Sequence, residues 1–425
     1  MFRRMNSLLI RNAIFEGSRT DIHVQGSRIA AMGPDLVVDA DDTLDASGKA
    51  VLPGLLNGHT HAAMTLMRGY ADDMLLHDWL QNKIWPLEAH VTEEDVYWGT
   101  KLACLEMIRT GCTFFNDMYW HWPGSVRAVD EMGLRASLAG VMIDLFDPER
   151  AAAQKLEIEA NLAASRDLPE RIQFTLGPHA IYTVSCNSWR WLAEFAKAND
   201  LLIHTHLSET EKEVEDCIAA HGKRPAQYLA DLGVLGPHFS VAHAIWLDAD
   251  EMALLADHGV GIITNTCANM KLATGVFRYS EARAAGLDIG IGTDGVCSNN
   301  SLDIFEEMKF ASLIEKSRTA DATAAPAAEI LDCATVNTAK IFRIDAGEIA
   351  VGKLADLMLL DLAEPVLTPL HNLASSVVYA CTGYQVDSTI CDGKVLMRHR
   401  VVPGEAEIRA GAAAATAALL TRANG

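Results

Sequence analysis

The chain has 425 residues, half of them apolar, and a formal net charge of −21. Such a length can bury a large core, and an α/β barrel can use well over half of it. The acidic surface repels phosphate backbones and excludes nucleic-acid polymers as partners, no apolar run reaches the roughly 20 residues of a membrane helix, and nine cysteines without C-x-x-C spacing read as reduced, mostly buried thiols rather than a disulfide framework.

The N-terminus carries Arg3 and Arg4 ahead of a short apolar stretch ending at Ile10. That stretch lacks the apolar length and the small-residue cleavage site of a signal peptide, so it reads as the first strand of a cytoplasmic protein. Short strands with turns follow: Leu8–Ile10, Asp21–Val24, Arg28–Met32 and Asp45–Gly48. From about residue 50 to 320 short apolar runs alternate with amphipathic helical stretches. The runs are Val51–Leu56, Thr113–Asn116, Ala136–Ile143, Ile172–Gly177, Leu201–His206, Phe239–His243, Gly261–Asn265 and Leu287–Gly292, most of them rich in β-branched or large apolar residues. Glu93–Arg109 shows the helical pattern: Thr92 can cap it, Glu93, Glu94 and Asp95 fill its positive first turn, and Gly111 follows its end. Eight βα units in series predict a closed parallel barrel. A doubly wound open sheet would be the rival, but no glycine-rich phosphate loop follows the first strand. Residues 347–400 again read as short strands, Asp356–Asp361 and Ser388–Cys391 with Asp392-Gly393 turning the chain, and the alanine-rich Ile408–Leu420 reads as a helix. The two strand-rich flanks can pair into one small β domain.

Chemistry gathers at the strand ends. Side chains two apart on a strand face one way, so His59 and His61 can both point into the barrel mouth, where barrel active sites lie. The fourth run leads to His179, the fifth ends in His204-Thr205-His206, the sixth at His243, and the eighth leads to Asp294. Imidazoles and a carboxylate suit a borderline divalent metal such as zinc. Spacing leaves open which of His204 and His206 is a ligand and which is a buried histidine one layer deeper. His77, His90, His121, His221, His238, His258, His371 and His399 read as solvated or hydrogen-bonded side chains. Glu209, three residues past His206, reads as a general acid or base beside the metal or as a charge ahead of the helix that Thr210 and Glu211 open. Trp79 and Glu88, in the long loop after the first barrel strand, can hold a flat ring and a diol, or can be lid packing and a surface charge.

These stretches carry a resemblance. NGHTHAAMTLMRGYADD from Asn57, DWLQNKIWPLEA from Asp78, LGPHAIYTVS from Leu176, HTHLSETEKEVED from His204, VAHAIWLD from Val241, NMKLATG from Asn269, GTDGVCSNNSLD from Gly292 and GEIAVGKLADLMLLDL from Gly347 span nearly the whole chain. It is similar to the amidohydrolase-superfamily branch that contains 5′-methylthioadenosine/S-adenosylhomocysteine deaminases, chlorotriazine hydrolases and guanine deaminases, and most of all to the first of these. The resemblance implies a (β/α)₈ TIM barrel over residues 56–345 and a discontinuous β-sandwich from residues 1–55 and 346–425, the latter with the C-terminal helix. It also implies one divalent metal per chain, most commonly zinc, on His59, His61, His206 and Asp294, with His204 structural. His243 would stand beside the attacking water, and Glu209 would shuttle protons. Trp79 would pack on a purine, Glu88 would take ribose hydroxyls, and His179 would bond the purine ring. The implied activity is hydrolytic deamination of an adenine nucleoside by a homo-oligomer, dimer or tetramer. The other readings are deamination or dechlorination of a guanine-like, pterin or s-triazine ring, and a non-catalytic scaffold on the same fold. One departure narrows the substrate. Where the branch carries an arginine for the amino-acid carboxylate of S-adenosylhomocysteine, this chain reads Ser137-Leu138-Ala139-Gly140-Val141, with Arg150 as a second such place. That favours 5′-methylthioadenosine, 5′-deoxyadenosine or adenosine.

Overall fold

A computed structural model describes residues 7–424, without the side chain of His77; the part of the opening strand assigned to residues 1–6 lies outside it. Eight strands pair in chain order into one sheet: Leu55–Thr60, Cys112–Asp117, Arg135–Met142, Ile172–Pro178, Ile203–Leu207, Phe239–His243, Gly261–Thr264 and Asp288–Ile291. Every neighbouring pair is parallel. Helices cross between most of them, which gives the expected (β/α)₈ barrel. The strands are buried along nearly their whole length, as they must be when helices cover one face and a packed barrel interior the other. The helix Glu93–Arg109 starts where its sequence dictates. Thr92 Oγ1 accepts the Asp95 N–H, and the Asp95 carboxylate accepts the Thr92 N–H.

The seam between the first and eighth strands is thin. The Asp294 N–H donates to the His59 carbonyl at 2.9 Å. The Asn57 side chain donates to Thr293 Oγ1 at 2.7 Å and accepts the Thr293 N–H at 3.0 Å. Gly292 makes this approach possible: a Cβ there would stand 2.5 Å from the His59 backbone nitrogen.

The run Val51–Leu56 is not one barrel strand. Lys49–Pro53 pairs antiparallel with Leu357–Asp361 in a second sheet, and the barrel strand begins only at Leu55. Pro53, which has no N–H to give a ladder, and Gly54 mark the crossing from one sheet to the other. His59 therefore lies within the first barrel strand rather than beyond it, and His61 directly follows it.

The flanks form the second sheet together, as expected. Its eight strands are Ser7–Phe15, Ser18–Gln25, Arg28–Gly33, Asp42–Asp45, Lys49–Pro53, Leu357–Asp361, Val386–Cys391 and Lys394–Met397. Ser7–Phe15 pairs with Asp42–Asp45 along its first half and meets Lys49–Pro53 at Ile14, so one strand belongs to both halves of the sheet. The sheet surrounds a core of its own that includes Ile10, Ile22, Leu44, Leu357 and Ile390. The strand expected at Asp45–Gly48 ends at Asp45, because the Asp45 side chain accepts the N–H and hydroxyl of Ser47 and turns the chain.

This sheet abuts the N-terminal ends of the barrel strands. Arg135, opening the third strand, is buried with Asp356 at 2.7 Å, and Thr389 Oγ1 donates to the Ile108 carbonyl at 2.7 Å. The mouth at the other end is left clear. The C-terminal helix, Glu405–Asn424, was expected with the small domain but lies on the barrel. Its small side chains Ala412 and Ala415 pack with Leu66, Trp98 and Leu102, Gly411 sits against the Trp98 ring where a Cβ would collide, and Arg422 pairs with Asp95. An alanine-rich face packs closely where a large aromatic side chain projects. All nine cysteines are free thiols, seven of them buried, and no described helix is long and apolar enough to cross a membrane.

Candidate active site

Five side chains converge at the C-terminal end of the barrel. His59, His61 and Asp294 form one group, and His59, His206 and His243 another, with the candidate ligand atoms of each group within 4.8 Å of one another. Asp294 Oδ1 lies 3.4 Å from His59 Nε2 and 3.3 Å from His61 Nε2, and His206 Nε2 lies 3.4 Å from His61 Nε2. Each ring is fixed from behind. His61 Nδ1 donates to the Met118 carbonyl and His206 Nδ1 to the His179 carbonyl, both at 2.7 Å. A carbonyl can only accept, so these bonds place a proton on each Nδ1 and turn the Nε2 atoms inward. His243 Nδ1 is paired with Asn269 Oδ1 at 2.8 Å, and Asp294 Oδ2 accepts the Ser298 hydroxyl at 2.7 Å.

The same bonding separates His204 from His206. His204 Nε2 lies 2.9 Å from His59 Nδ1, and its Nδ1 lies 2.8 Å from Ser240 Oγ. Both of its nitrogens are thereby engaged below the cluster, whereas His206 presents Nε2 to it. Two residues along a strand is about 6.6 Å, so side chains on one face still sit at different depths.

A divalent cation fits this donor set. His59 Nε2 is buried without a hydrogen-bond partner, a costly state for a nitrogen that no other group satisfies. Burial pushes His59 down to about 4, and pushes His204 and His206 well below the usual histidine range, so these imidazoles are neutral, as ligands must be. For His61 burial acts in the same sense but is outweighed by Asp294, the Met118 carbonyl and Asp117, which hold it at about 9, so a cation bound here would displace a proton from this ring. Asp294 is also buried, yet the His59 and His61 imidazoles beside it keep its carboxyl well below the carboxylate range. A carboxylate among crowded imidazoles attracts positive charge.

The backbone is strained where these groups leave their strands. Ser208, His243, Ala244 and Asp294 have φ of 48°, 67°, 51° and 61°, the left-handed region that residues with a Cβ rarely adopt. Ser208 is held on both sides. Glu213 accepts the N–H groups of Ser208 and Glu209, each at 2.9 Å, and the Ser208 carbonyl accepts those of Ile245 and Trp246.

One pocket opens over the cluster. His61, His206, His243 and Asp294 line its floor, with Glu209, His179, Trp79 and Glu88 around them. Glu209 is buried, which raises its carboxyl above the usual range. It precedes the helix that Thr210 caps, and its side chain belongs to the pocket rather than to a helix end. Trp79 and Glu88 come from one helical stretch, Leu76–Glu88, whose middle turn, Leu80–Ile84, is a wider π-turn. Trp79 is anchored by its indole N–H to the Ala71 carbonyl at 3.0 Å. Burial lifts Glu88 to about 7 against the opposing effects of Tyr119 and His61. His179 Nδ1 is held by Thr183 Oγ1 at 2.9 Å, and burial pushes this ring down to about 3.

Arg150 is exposed in the first turn of the helix Pro148–Ser165, capped by Asp147, and is not among the residues that line the pocket. Among the described residues, the pocket lining contains neither lysine nor arginine. Sequence reasoning missed Tyr119, Trp120, Tyr182 and Ser298 on the walls, and Glu213 behind Glu209. Ser298 and Glu213 each lie four residues past a candidate residue, Asp294 and Glu209, and that spacing was their only signal.

Residues 50–396 match the model of the Amidohydrolase family. The chain is 49% identical over 430 residues to a 5′-deoxyadenosine deaminase of Methanoregula boonei, covering 100% of this chain and 97% of that one. It is 42% identical over 409 residues to 5-methylthioadenosine/S-adenosylhomocysteine deaminase 1 of Archaeoglobus fulgidus, covering 94% and 95%. The crystal structure of an adenosine deaminase from Xanthomonas campestris with bound zinc superposes with a TM-score of 0.92 at 33% identity, over 97% of this chain and 98% of that one. With its family model, its relatives and its barrel in agreement, the chain belongs to the amidohydrolase family.

Proposed function

We propose that the chain hydrolyses the exocyclic amine from an adenine nucleoside with a small uncharged 5′ group, releasing ammonia and leaving the inosine analogue. The observation that carries this reading is the end-to-end 49% identity to a protein named 5′-deoxyadenosine deaminase. A pocket that joins a metal-ligand cluster to a buried carboxyl and is lined by no lysine or arginine supports it. His59, His61, His206 and Asp294 would hold the ion, zinc by preference. A cytoplasmic setting and a dimer or tetramer belong to the same proposal, to be checked by metal analysis, cell fractionation and light scattering.

When bound, the ion lowers the pKa of a water molecule to near neutrality. Asp294 accepts a proton from the attacking water, its Oδ2 steadied by Ser298. His243, locked by Asn269, orients that water. Glu209, whose carboxyl burial raises above the usual range, delivers a proton to ring nitrogen N1 as carbon 6 is attacked. Asp294 returns its proton to the amine, which leaves as ammonia while the C6 hydroxyl gives up its proton to restore Glu209 and becomes the carbonyl. Trp79 covers the purine face, His179 bonds the ring, and Glu88 takes the ribose hydroxyls.

The test is a comparison of kcat/KM for 5′-deoxyadenosine, 5′-methylthioadenosine, adenosine, S-adenosylhomocysteine, adenine, guanine and a chlorotriazine, read by ammonia release. The first three should lead. Adenine should trail because Glu88 would face no diol, and a site built to hydrogen-bond a group rejects analogues that lack it. S-adenosylhomocysteine as best substrate would require a cation the pocket lacks, and guanine or a triazine as best would overturn the nucleoside reading.

Glu213 offers a second test. Its carboxylate accepts two consecutive N–H groups, which an amide cannot do in the same pose. Glu213→Gln should retain its metal and lose about tenfold in kcat, the effect of one buried donor left unpaired. An unchanged kcat would mean that Ile245 and Trp246 hold the turn alone.

A further inference from the structure

Glu307 lies in the first turn of the helix Ile304–Thr319 and is 0% exposed. Burial pushes its carboxyl up to about 8 against the opposing bonds from Cys267 and Asn299, a cost that an apolar side chain of the same length would avoid. The two groups it holds lead to two residues of the candidate site. One carboxyl oxygen accepts the Asn299 side-chain N–H at 2.7 Å, and the other accepts the Cys267 backbone N–H at 3.2 Å. Asn299 Nδ2 also donates to the Thr293 carbonyl at 2.8 Å. Thr293 precedes Asp294, and Ser298, whose hydroxyl bonds Asp294 Oδ2, precedes Asn299. Asn299 therefore closes the turn that carries Asp294. The second arm reaches the short helix Thr266–Lys271, where Asn269, two residues past Cys267, holds His243 Nδ1 at 2.8 Å. Asp294 and His243 both stand in the left-handed region, at φ of 61° and 67°, which persists only where the surrounding structure fixes it. One buried carboxyl braces the supports of both.

We propose that Glu307 is a positioning residue that sets Asp294 and His243 relative to each other, and with them the attacking water. The proposal rests on the reading above in which these two side chains handle that water. It extends the apparatus to a residue that lines neither the pocket nor the ligand cluster. Glu213 gives the turn at Ser208 and Glu209 the same kind of support.

The experiment compares the parent with Glu307→Met, Glu307→Gln, Asn299→Ala and the double variant Glu307→Met/Asn299→Ala. It reads kcat and KM on 5′-deoxyadenosine, metal content, Tm and the visible spectrum of the cobalt-loaded protein. Glu307→Met keeps the length of the side chain and leaves both N–H groups without their acceptor. It should keep its metal and its KM and lose about tenfold in kcat, the effect of hydrogen bonds left unmade. Glu307→Gln keeps one acceptor and should recover part of that loss. Asn299→Ala should also lose kcat, and the double variant should be no worse than Glu307→Met, because the two residues act through one chain of bonds. Cobalt absorbs visible light in bands set by its ligand geometry, so the bands of Glu307→Met should shift as Asp294 moves. Parent-like kcat in a folded and loaded Glu307→Met, additive losses in the double variant, or an unmoved spectrum would each overturn the proposal. A lowered Tm with kcat and bands unchanged would make Glu307 a structural residue only. Should Glu307→Met not fold, Asn299→Ala and Glu307→Gln carry the same readings. A parent that deaminates no adenine nucleoside would overturn the substrate reading and leave the spectrum to decide Glu307. A parent that takes up no cobalt would overturn the metal site and this proposal together.

Discussion

His206→Ala is expected to abolish metal binding and turnover together. His206 turns Nε2 towards His61 Nε2 at 3.4 Å, and its Nδ1 is committed to the His179 carbonyl, so the ring is held as a lone-pair donor aimed into the cluster. Alanine removes one of the four proposed ligands. His204 has both nitrogens engaged with His59 and Ser240. The parent should carry about one divalent ion per chain. The variant should carry almost none after dialysis, and ammonia release should fall to the blank. The neighbouring variant His204→Asn makes the comparison informative. Losing a group that only orients a ligand lowers metal affinity roughly 10- to 100-fold, so that protein should still load at high zinc. Full metal occupancy in His206→Ala would exclude His206 as a ligand, and equal damage in the two variants would remove the distinction between them.

Glu209→Gln should keep the ion and lose most of the turnover. The residue is buried, its backbone N–H is fixed by Glu213, and its side chain shares the pocket with His243 and Asp294. Glutamine keeps the size and the backbone contacts but cannot pass a proton. General acid–base groups contribute roughly a hundredfold to ten-thousandfold, or about 1.4 kcal/mol of barrier for each factor of ten. The loss should fall on kcat with little change in KM. Glu211, two residues on and exposed, provides the control: Glu211→Gln should behave like the parent. A Glu209→Gln enzyme within a few fold of the parent would remove this carboxylate from proton transfer.

The barrel was legible because its strands are continuous apolar runs and its chemistry sits where those runs stop: His59, His206, His243 and Asp294 all mark strand ends. The same continuity hid the first boundary. Val51 to Leu56 is apolar throughout except for Pro53-Gly54, and an apolar run does not say which of two sheets it serves. Strand alternation put His204 and His206 on one face but could not rank their depths, which required the position of Ser240 on the next strand. Tyr119 and Glu88 are far apart in the chain, and nothing in either neighbourhood announces that one faces the other. Arg150, offered only by the resemblance, is exposed on the first turn of its helix, and nothing in its sequence neighbourhood tells a surface cation from one that turns into a pocket.

With the proposed ion in place, the thin seam of the barrel would couple metal supply to the stability of the fold. A species that binds only the folded chain stabilises it by mass action, by about 4 kcal/mol at a thousandfold excess over its dissociation constant. Here the candidate ligands straddle the weakest joint in the sheet, with His59 on the first strand, Asp294 just past the eighth, and one backbone bond between them. An ion held by both acts as a clasp across the point where the cylinder is least laced. Starving a cell of metal would then do more than silence existing copies of the protein. It would let the barrel open more often along that joint and expose the chain to proteolysis.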